Sequence, residues 1–194
     1  MTTSITIPPR KTKGEETRRR IAEAALTEFK RVGVDNAVIG DIAEIAGVSR
    51  PTFYSHFPSK QHILLELQRS LEIPIGIVVE DADDLQSALQ AVVRGIMRAR
   101  KKVGDIQLFS DMMLIYTKGA TDLPVDDQPL LFSLNEKFMQ GKKNGQLRKH
   151  IEPAQAVLLY LTSVFGYLIG PGQFSGDKDC ETALRQISKL FLKD

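Results

Sequence analysis

Residues 42–60 place cationic, hydroxyl-bearing and aromatic side chains in and just beyond one short predicted helix. The candidates for binding a partner are Arg50, Pro51, Thr52, Tyr54, Ser55, His56 and Lys60. An arginine can donate two hydrogen bonds to guanine O6 and N7, and Thr or Pro can contact a base or a thymine methyl group. Tyr54, His56 and Lys60 suit phosphate oxygens, which fix position on a duplex without reading its sequence. The same residues can also be the solvated face of a small helix, so their chemistry leaves both interpretations open.

Two short helices joined by a tight turn are predicted to position these side chains. The first has the spacing of a buried helical stripe, at Ile39, Ile42, Ala43 and Ala46. Gly47 can then take positive φ at low cost, and Ser49 is a good N-cap for the second helix. Phe53 and Phe57 are predicted to fill the core from the inner side of that helix. This is the helix-turn-helix pattern, whose second helix enters the major groove of DNA.

The segment TRRRIAEAALTEFKRVG…IGDIAEIAGVSRPTFYSHFPSKQHIL resembles the N-terminal domain of the TetR family of transcriptional regulators. The likeness covers roughly residues 15–67. It rests on Ile42, Ala43, Ala46, Gly47, Val48, Ser49, Pro51, Thr52, Phe53, Tyr54, His56, Phe57, Ser59 and Lys60. The chain departs from the family pattern before the second helix, where a capping hydroxyl is missing and Gly40 stands inside the helix. Asn36 or the backbone is expected to cap instead, and no DNA contact is assigned to position 40.

Basic residues upstream form a second candidate contact. Arg10, Lys11 and Lys13 precede the first helix, as part of a basic arm over residues 1–14. Such an arm can follow the backbone or enter the minor groove, or it can remain a solvated tail. Arg18, Arg19 and Arg20 are consecutive, so they point around the first helix and at most one or two of them are expected to touch DNA.

Helical spacing dominates the whole chain, which predicts an all-α fold. We expect a three-helix DNA-binding domain over residues 1–62 and a larger helical regulatory and dimerisation bundle over residues 63–194. Predicted helices run from about Glu15 to Val32, from after Lys60 to Pro74 and from about Asp84 to Val103. Others carry the segments IQLFSDMMLIY and AQAVLLYLTSVFGYLI, and a last one carries Leu184, Ile187 and Phe191.

Composition bounds the class of protein. The 194 residues are 42% hydrophobic and 26% charged, as in a globular protein that buries a core. Residues 1–70 hold eleven Lys and Arg against eight Asp and Glu, so the positive balance lies at the N-terminal end. The single Cys180 fits a reducing compartment, and no apolar stretch reaches membrane-spanning length. We therefore expect a cytoplasmic protein.

Motifs for catalysis or cofactor binding are absent from the sequence. It has no nucleophile elbow, Walker loop, dinucleotide fingerprint or zinc spacing, and His56, His62 and His150 are scattered. We expect no enzyme activity, no cofactor and no metal site.

The family resemblance implies a homodimer and a ligand cavity in the second body. The dimer is expected to pair the last two helices through Leu158, Leu161, Phe165, Leu168, Leu184, Ile187 and Phe191. The cavity is expected to take an apolar or amphipathic small-molecule effector, with walls from Met97, Phe109, Met112, Met113, Tyr116, Phe132, Asn135, Phe138 and Tyr160. Each of these residues can equally be plain core.

These expectations combine into one leading function and its alternatives. The leading one is a ligand-responsive repressor that binds a palindromic operator as a dimer, with half-sites about 34–36 Å apart. The alternatives are a helix-bundle protein that binds another protein, and a regulator that has no small-molecule inducer. Salt dependence separates the DNA-binding repressor from the helix-bundle protein that binds another protein. The logarithm of the DNA-binding constant falls linearly with the logarithm of salt concentration when phosphates are neutralised.

Overall fold

The computed structural model describes residues 12–119 and 129–193, apart from the side chains of residues 115–119, 129 and 173. In that part of the chain the α-helices are α1 (Lys13–Val32), α2 (Ile39–Ile45), α3 (Arg50–His56), α4 (Lys60–Glu80), α5 (Leu85–Val103), α6 (Ile106–Gly119), α7 (Pro129–Lys143), α8 (Pro153–Ile169) and α9 (Asp177–Lys189). A 3-10 helix, Pro171–Phe174, precedes α9, and an isolated bridge joins Leu147 to Leu192. The predicted all-α class is confirmed.

Local capping sets the start of α1 two residues before the predicted position. The Thr12 hydroxyl accepts a hydrogen bond from the backbone N–H of Glu15 at 3.2 Å, and the Thr12 N–H donates to Glu15 Oε2 at 2.6 Å. This reciprocal pair is a capping box, which satisfies two of the N–H groups that a helix start leaves open. The helix therefore begins at Lys13.

The prediction that α4 ends at Pro74 is wrong, because the helix continues to Glu80. Proline removes one helical hydrogen bond and favours a break. Here Pro74 lies on the exposed side, whereas Ile75 and Val79 on the other side are buried. Burial of these two side chains stabilises the continued helix by more than the missing bond costs.

The chain divides into two compact units, Met1–Ile63 and Leu64–Asp194. In the first unit, α2 packs on α1 and α3, around a core that includes Ile21, Phe29, Ile42, Phe53 and Phe57. The aromatic residues Phe53 and Phe57 are fully buried, with ring centroids 6.3 Å apart. The core therefore fixes which side of α3 faces inward.

In the second unit, α5 packs on α6, α7 and α9, and α8 packs on α6, α7 and α9. An aromatic cluster of Phe138, Tyr160 and Phe191 lies between them, with ring centroids 5.5–6.0 Å apart. Burial raises the pKa of the Tyr160 hydroxyl, which is 3.2 Å from Ser188 Oγ. None of the helices within the described ranges is both long and apolar enough to cross a bilayer.

Arg100 ties α5 to the segment between α8 and α9. Its buried guanidinium donates to the carbonyls of Gly172 and Ser175 at 2.8 and 2.6 Å, and its Nε lies 3.2 Å from Asp177 Oδ1. The Cys180 thiol is 3.7 Å from the same guanidinium, and burial raises its pKa. A buried charge requires such partners, so Arg100 holds the 3-10 helix and the start of α9 in place.

Candidate nucleic-acid interface

The turn between α2 and α3 has the geometry that the sequence predicts. Gly47 adopts φ of +63°, where a side chain would be strained. Its N–H donates to the Glu44 carbonyl at 2.9 Å, and the Val48 N–H donates to the Ala43 carbonyl at 2.9 Å. Ser49 Oγ then accepts from the Thr52 N–H at 3.2 Å and caps α3. The chain reverses within four residues and starts α3 in a fixed direction.

One side of α3 is buried and the other side is exposed. Phe53 is buried, while Arg50, Pro51, Tyr54 and Ser55 are exposed. Thr52 and His56 are half-buried at the margins of that exposed face. The structure therefore brings six of the seven predicted contact residues together on one short helix. We call the exposed set Arg50, Pro51, Tyr54 and Ser55 the α3 face.

Gly40 explains how Arg50 is placed. A Cβ atom at position 40 would lie 3.1 Å from Arg50 Cζ and would overlap Nη2. The guanidinium therefore lies against the backbone of α2, at a point where a side chain on residue 40 would displace it. In the sequence, Gly40 is a departure from the family pattern. The structure shows that its missing side chain accommodates a residue of the α3 face.

Hydroxyl groups on α3 are engaged locally. Ser55 Oγ donates to the Thr52 carbonyl at 2.7 Å, and Thr52 Oγ1 is 2.8 Å from Ser49 Oγ. A hydroxyl has one donor and two acceptor positions, so an oxygen that donates to the helix can still accept a bond from a base amino group. Ser55 suits a donor on a base better than a phosphate.

Lys60 does not act as predicted. Its ammonium donates to the carbonyls of Val34, Asp35 and Ala37 at 2.8, 3.0 and 2.9 Å. An ammonium has three N–H donors, and all three are used here. The assignment of Lys60 to a phosphate is therefore corrected: the side chain fastens the loop between α1 and α2, and so positions α2.

Two of the three consecutive arginines of α1 bind backbone carbonyls at the ends of α2 and α3. Arg20 donates to the Ala46 carbonyl at 2.8 Å, at the end of α2. Arg18 donates to the His56 carbonyl at the end of α3, and its Cζ lies 4.1 Å from the centroid of the Phe57 ring. Arg19 pairs with Glu16 and Glu23 at the surface. Cations at helix C-termini stabilise the carbonyls that the helix leaves open.

Two smaller predictions concern the ends of this domain. Asn36 or the backbone was expected to cap α2, and the Asn36 amide instead donates to the Val32 carbonyl at 3.0 Å, at the end of α1. The cap position of α2 is Val38, with no side-chain hydrogen bond. Arg10 and Lys11 of the predicted arm lie outside the described residues, and Lys13 is the exposed first residue of α1.

A cavity of about 30 Å³ lies in the second unit, beside α4. Its polar wall is Gln68 and Glu72 on α4, and the other walls are apolar. Of the predicted pocket residues, only Phe109 and Met113 line it. The polar pair could have been found from the sequence, because Leu64, Gln68, Leu71, Glu72 and Ile75 follow one helical stripe.

The other predicted pocket residues whose side chains are described do not line this cavity, and their contact with an effector stays a prediction. Met112, Phe138 and Tyr160 are buried in the core, away from this cavity, and Met97 is half-buried. Phe132 is exposed, and the half-buried Asn135 makes only a long contact, 3.9 Å, to Met139 Sδ. Tyr116 belongs to α6, but its side chain lies outside the described part of the structure.

The predicted dimer residues are mostly core. Five of them are buried within the single chain: Leu161, Phe165, Leu168, Leu184 and Phe191. Leu161 and Phe165 line the cavity, and Phe191 belongs to the aromatic cluster. Ile187 is half-buried, whereas Leu158 is 62% exposed. Of the predicted set, only Leu158 is well placed to meet a partner chain.

The solvent side of α8 carries an uncharged stripe, at Gln155, Leu158, Leu159, Thr162, Ser163 and Gly166. These positions recur at helical spacing and are all exposed. A solvated helix face normally carries charges. Helix α8 carries no charged side chain on either side, so which side meets a partner chain stays a prediction.

Comparison with known proteins agrees with this geometry. Residues 21–67 match the family described as bacterial regulatory proteins, tetR family. The HTH-type transcriptional repressor LfrR of Mycolicibacterium smegmatis is 32% identical over 95 residues, which is 49% of each chain. The uncharacterized HTH-type transcriptional regulator TtgW of Pseudomonas putida is 36% identical over 92 residues, 46% of this chain and 69% of TtgW. The match thus spans about half the length of LfrR.

The whole fold also has close structural neighbours. The chain superposes on FadR of Thermus thermophilus, a TetR-family transcriptional repressor solved in complex with lauroyl-CoA, with a TM-score of 0.66 and 20% identity. The superposition covers 89% of this chain and 92% of FadR. At this identity the likeness concerns the fold, whereas the family match over residues 21–67 includes α2 and α3. From the matched segment and the relative covered over more than two thirds of its length, the chain belongs to the TetR family of bacterial regulatory proteins.

Proposed function

We propose that this chain is a transcriptional repressor that binds a palindromic DNA operator as a homodimer and releases it in response to a small molecule. Residues 1–62 act as the DNA-binding domain, and residues 63–194 act as the regulatory and dimerisation domain. The observation that carries the proposal is the α3 face, which presents an arginine, a tyrosine and a hydroxyl on a helix fixed from behind by Phe53 and Phe57.

Arg50 and Ser55 are proposed to read base edges. Arg50 follows the N-cap, and the N-terminal residues of a recognition helix are those that reach the bases. Tyr54 is half-exposed and offers its hydroxyl to a phosphate, and His56 and Thr52 lie at the margins for the same purpose. Pro51 offers an apolar edge to a thymine methyl group.

A second copy of the chain is proposed to cover the uncharged stripe of α8. Leu158 and Leu159 are 62% and 55% exposed, and Gly166 has open space around the position of a Cβ atom. Leu190, just after α9, is also exposed. Exposed apolar side chains on a flat, uncharged face are typical of a subunit interface. A two-fold axis there makes each half of the operator equivalent.

The cavity beside α4 is proposed as the place where the effector acts. At about 30 Å³ it has room for little more than a water molecule, so an effector must widen it. A ligand shifts a conformational equilibrium only when it binds one state better than the other. An effector that fits the widened cavity therefore favours a state other than the one described here.

Selection of binding sites from a random duplex library tests the proposal. We expect a palindrome with equivalent half-sites, and a logarithm of affinity that falls linearly with the logarithm of salt concentration. A selected site without two-fold symmetry would contradict the dimer. Failure to retain any duplex at low salt, while a bacterial protein is retained, would favour the protein-binding alternative.

A further inference from the structure

Glu72 is a buried carboxyl group with one oxygen left without a partner. It lies on α4 and is only 5% exposed. Its Oε2 accepts a hydrogen bond from Gln68 Nε2 at 3.0 Å, while Oε1 has no hydrogen-bond partner among the described residues. A buried acceptor without a bond costs free energy that a leucine at this position would not. The Leu130 backbone at the start of α7 also lies near this carboxyl group, yet Oε1 remains without a hydrogen bond.

Apart from Gln68, the other side chains around the cavity beside Glu72 are apolar. The cavity that it lines is walled by α5, α6, α7 and α8, through residues such as Ile96, Phe109, Leu130 and Phe165. Among the side chains that the structure describes, none of those that line the cavity from these four helices is titratable. On α4 itself the nearby charge is Arg69, which is exposed. The carboxyl group therefore lies beside a small cavity whose accessible lining is apolar.

Burial raises the pKa of Glu72, and the Gln68 amide, the Leu130 backbone and the Arg69 charge oppose that rise to a smaller extent. In the free protein the carboxyl group is thus protonated over a wider pH range than an exposed glutamate. A positive charge brought next to it would reverse the shift, because an opposite charge favours the ionised form. The group can therefore exchange its proton for a bound cation.

We propose that Glu72 recognises the effector, and that the effector is an organic cation with an apolar body, such as a protonated amine. The ammonium group donates a hydrogen bond to Oε1, and the apolar body contacts the walls from α5, α6 and α8. In the bound state the carboxylate pairs with the ammonium, and a carboxyl group that starts protonated gives its proton to solvent. This inference deepens the ligand-responsive function proposed above and rests on it.

Widening of the cavity links this recognition to α4. An alkylammonium is several times larger than the present cavity, so its body must move α4 away from α5 or α8. Because α4 is one continuous helix from Lys60 to Glu80, Glu72 lies three helical turns from the residue that fastens the loop before α2. A cation held at Glu72 therefore acts directly on the helix that both units share.

Calorimetric titration with octylammonium and octanol tests the proposal, because the two probes have the same chain and differ in charge. We expect wild-type protein to bind octylammonium at least about tenfold more tightly than octanol at pH 8, the size of one charge-assisted hydrogen bond. In Glu72→Gln the preference should vanish, while octanol binding changes little. Glu80→Gln, the same change at an exposed position of α4, should leave the preference intact.

The pH dependence of binding provides a second readout. Because the ionised form of Glu72 favours the bound ammonium, the affinity for octylammonium should rise with pH in wild-type protein and in Glu80→Gln, but not in Glu72→Gln. Equal binding of both probes, or a preference that survives Glu72→Gln in a folded variant, would overturn the inference. Operator binding without any ligand is measured alongside. If wild-type protein binds DNA but shows no preference for the cation, this inference alone is refuted. If wild-type protein binds no DNA, the proposed function is refuted.

Discussion

Replacing Lys60 with methionine separates a structural role from contact with DNA. Met keeps the apolar stem but removes the ammonium, and so removes three hydrogen bonds to the carbonyls of Val34, Asp35 and Ala37. Two of the three carbonyls are partly buried, and the bond to Asp35 is exposed, where water can replace the ammonium. At about 1 kcal/mol for each partly buried bond, we expect the first unit to lose about 2 kcal/mol of stability.

Hydrogen exchange measures this loss in the first unit alone. The amides of Ile42 and Ala46 in and after α2 bond to the carbonyls of Val38 and Ile42, and their exchange reports opening of that helix. A loss of about 2 kcal/mol corresponds to about 30-fold faster exchange. Lys30→Met, a change at an exposed position of α1, serves as the control and should leave both amides unaffected.

DNA binding then provides the opposing test. If Lys60 neutralises no phosphate, the slope of log affinity against log salt stays the same in Lys60→Met. Unchanged exchange of the two amides, together with a slope reduced by about one, would show that the ammonium binds phosphate and that its three hydrogen bonds do not hold the loop.

Other changes test the site, the interface and the buried carboxyl group. Gly40→Ala should raise stability by about 0.5–1 kcal/mol through helix propensity, yet lower operator affinity because it displaces the Arg50 guanidinium; unfolding in urea and DNA titration measure the two effects. Arg50→Ala should cost about 1–3 kcal/mol on the operator but less on random duplex, and equal losses on both would refute base reading. Leu158→Asp should give a monomer in light scattering, whereas Met139→Asp at an exposed position of α7 should remain a dimer. Because burial raises the pKa of Glu72, the folded state binds more protons than the unfolded state, so stability should fall as pH rises above about 4.5; Glu72→Gln should remove this fall in unfolding experiments from pH 5 to 8.

The helix-turn-helix could be predicted because its determinants are local. Gly47 takes positive φ, Ser49 caps α3, and Phe53 and Phe57 are buried, as their types and spacing indicate. Each of these features depends on only a few neighbouring residues. Local rules failed at Pro74, where burial of the residues that follow keeps α4 intact.

Side-chain roles were harder to predict, because they depend on distant parts of the chain. The sequence shows that Lys60 is basic, but not that three loop carbonyls from residues 34, 35 and 37 converge on it. Likewise Gly40 looks like a weak helix residue until Arg50 is seen to lie against it. Each of these contacts joins residues that are at least ten positions apart in the sequence, which is beyond the reach of helical periodicity.

The ligand cavity and the subunit interface stay predictions for a different reason. Helix α8 is uncharged all round, so its sequence cannot tell the side that packs inward from a side that would meet a partner. The predicted pocket consists mainly of aromatic and methionine side chains. The cavity beside α4 is distinguished instead by a polar pair, Gln68 and Glu72, within an apolar stripe. The exceptions to a pattern were more informative than the residues that obeyed it.

The close fit of Arg50 against Gly40 has a consequence for altering which sequences such a repressor recognises. Exchanging the arginine alone for a shorter residue would leave a hollow beside α2, and the new side chain would lack the support that fixes its direction. Libraries intended to retarget the protein should therefore randomise positions 40 and 50 jointly. A pair such as alanine at position 40 with glutamine at position 50 is sampled only when both codons are varied together.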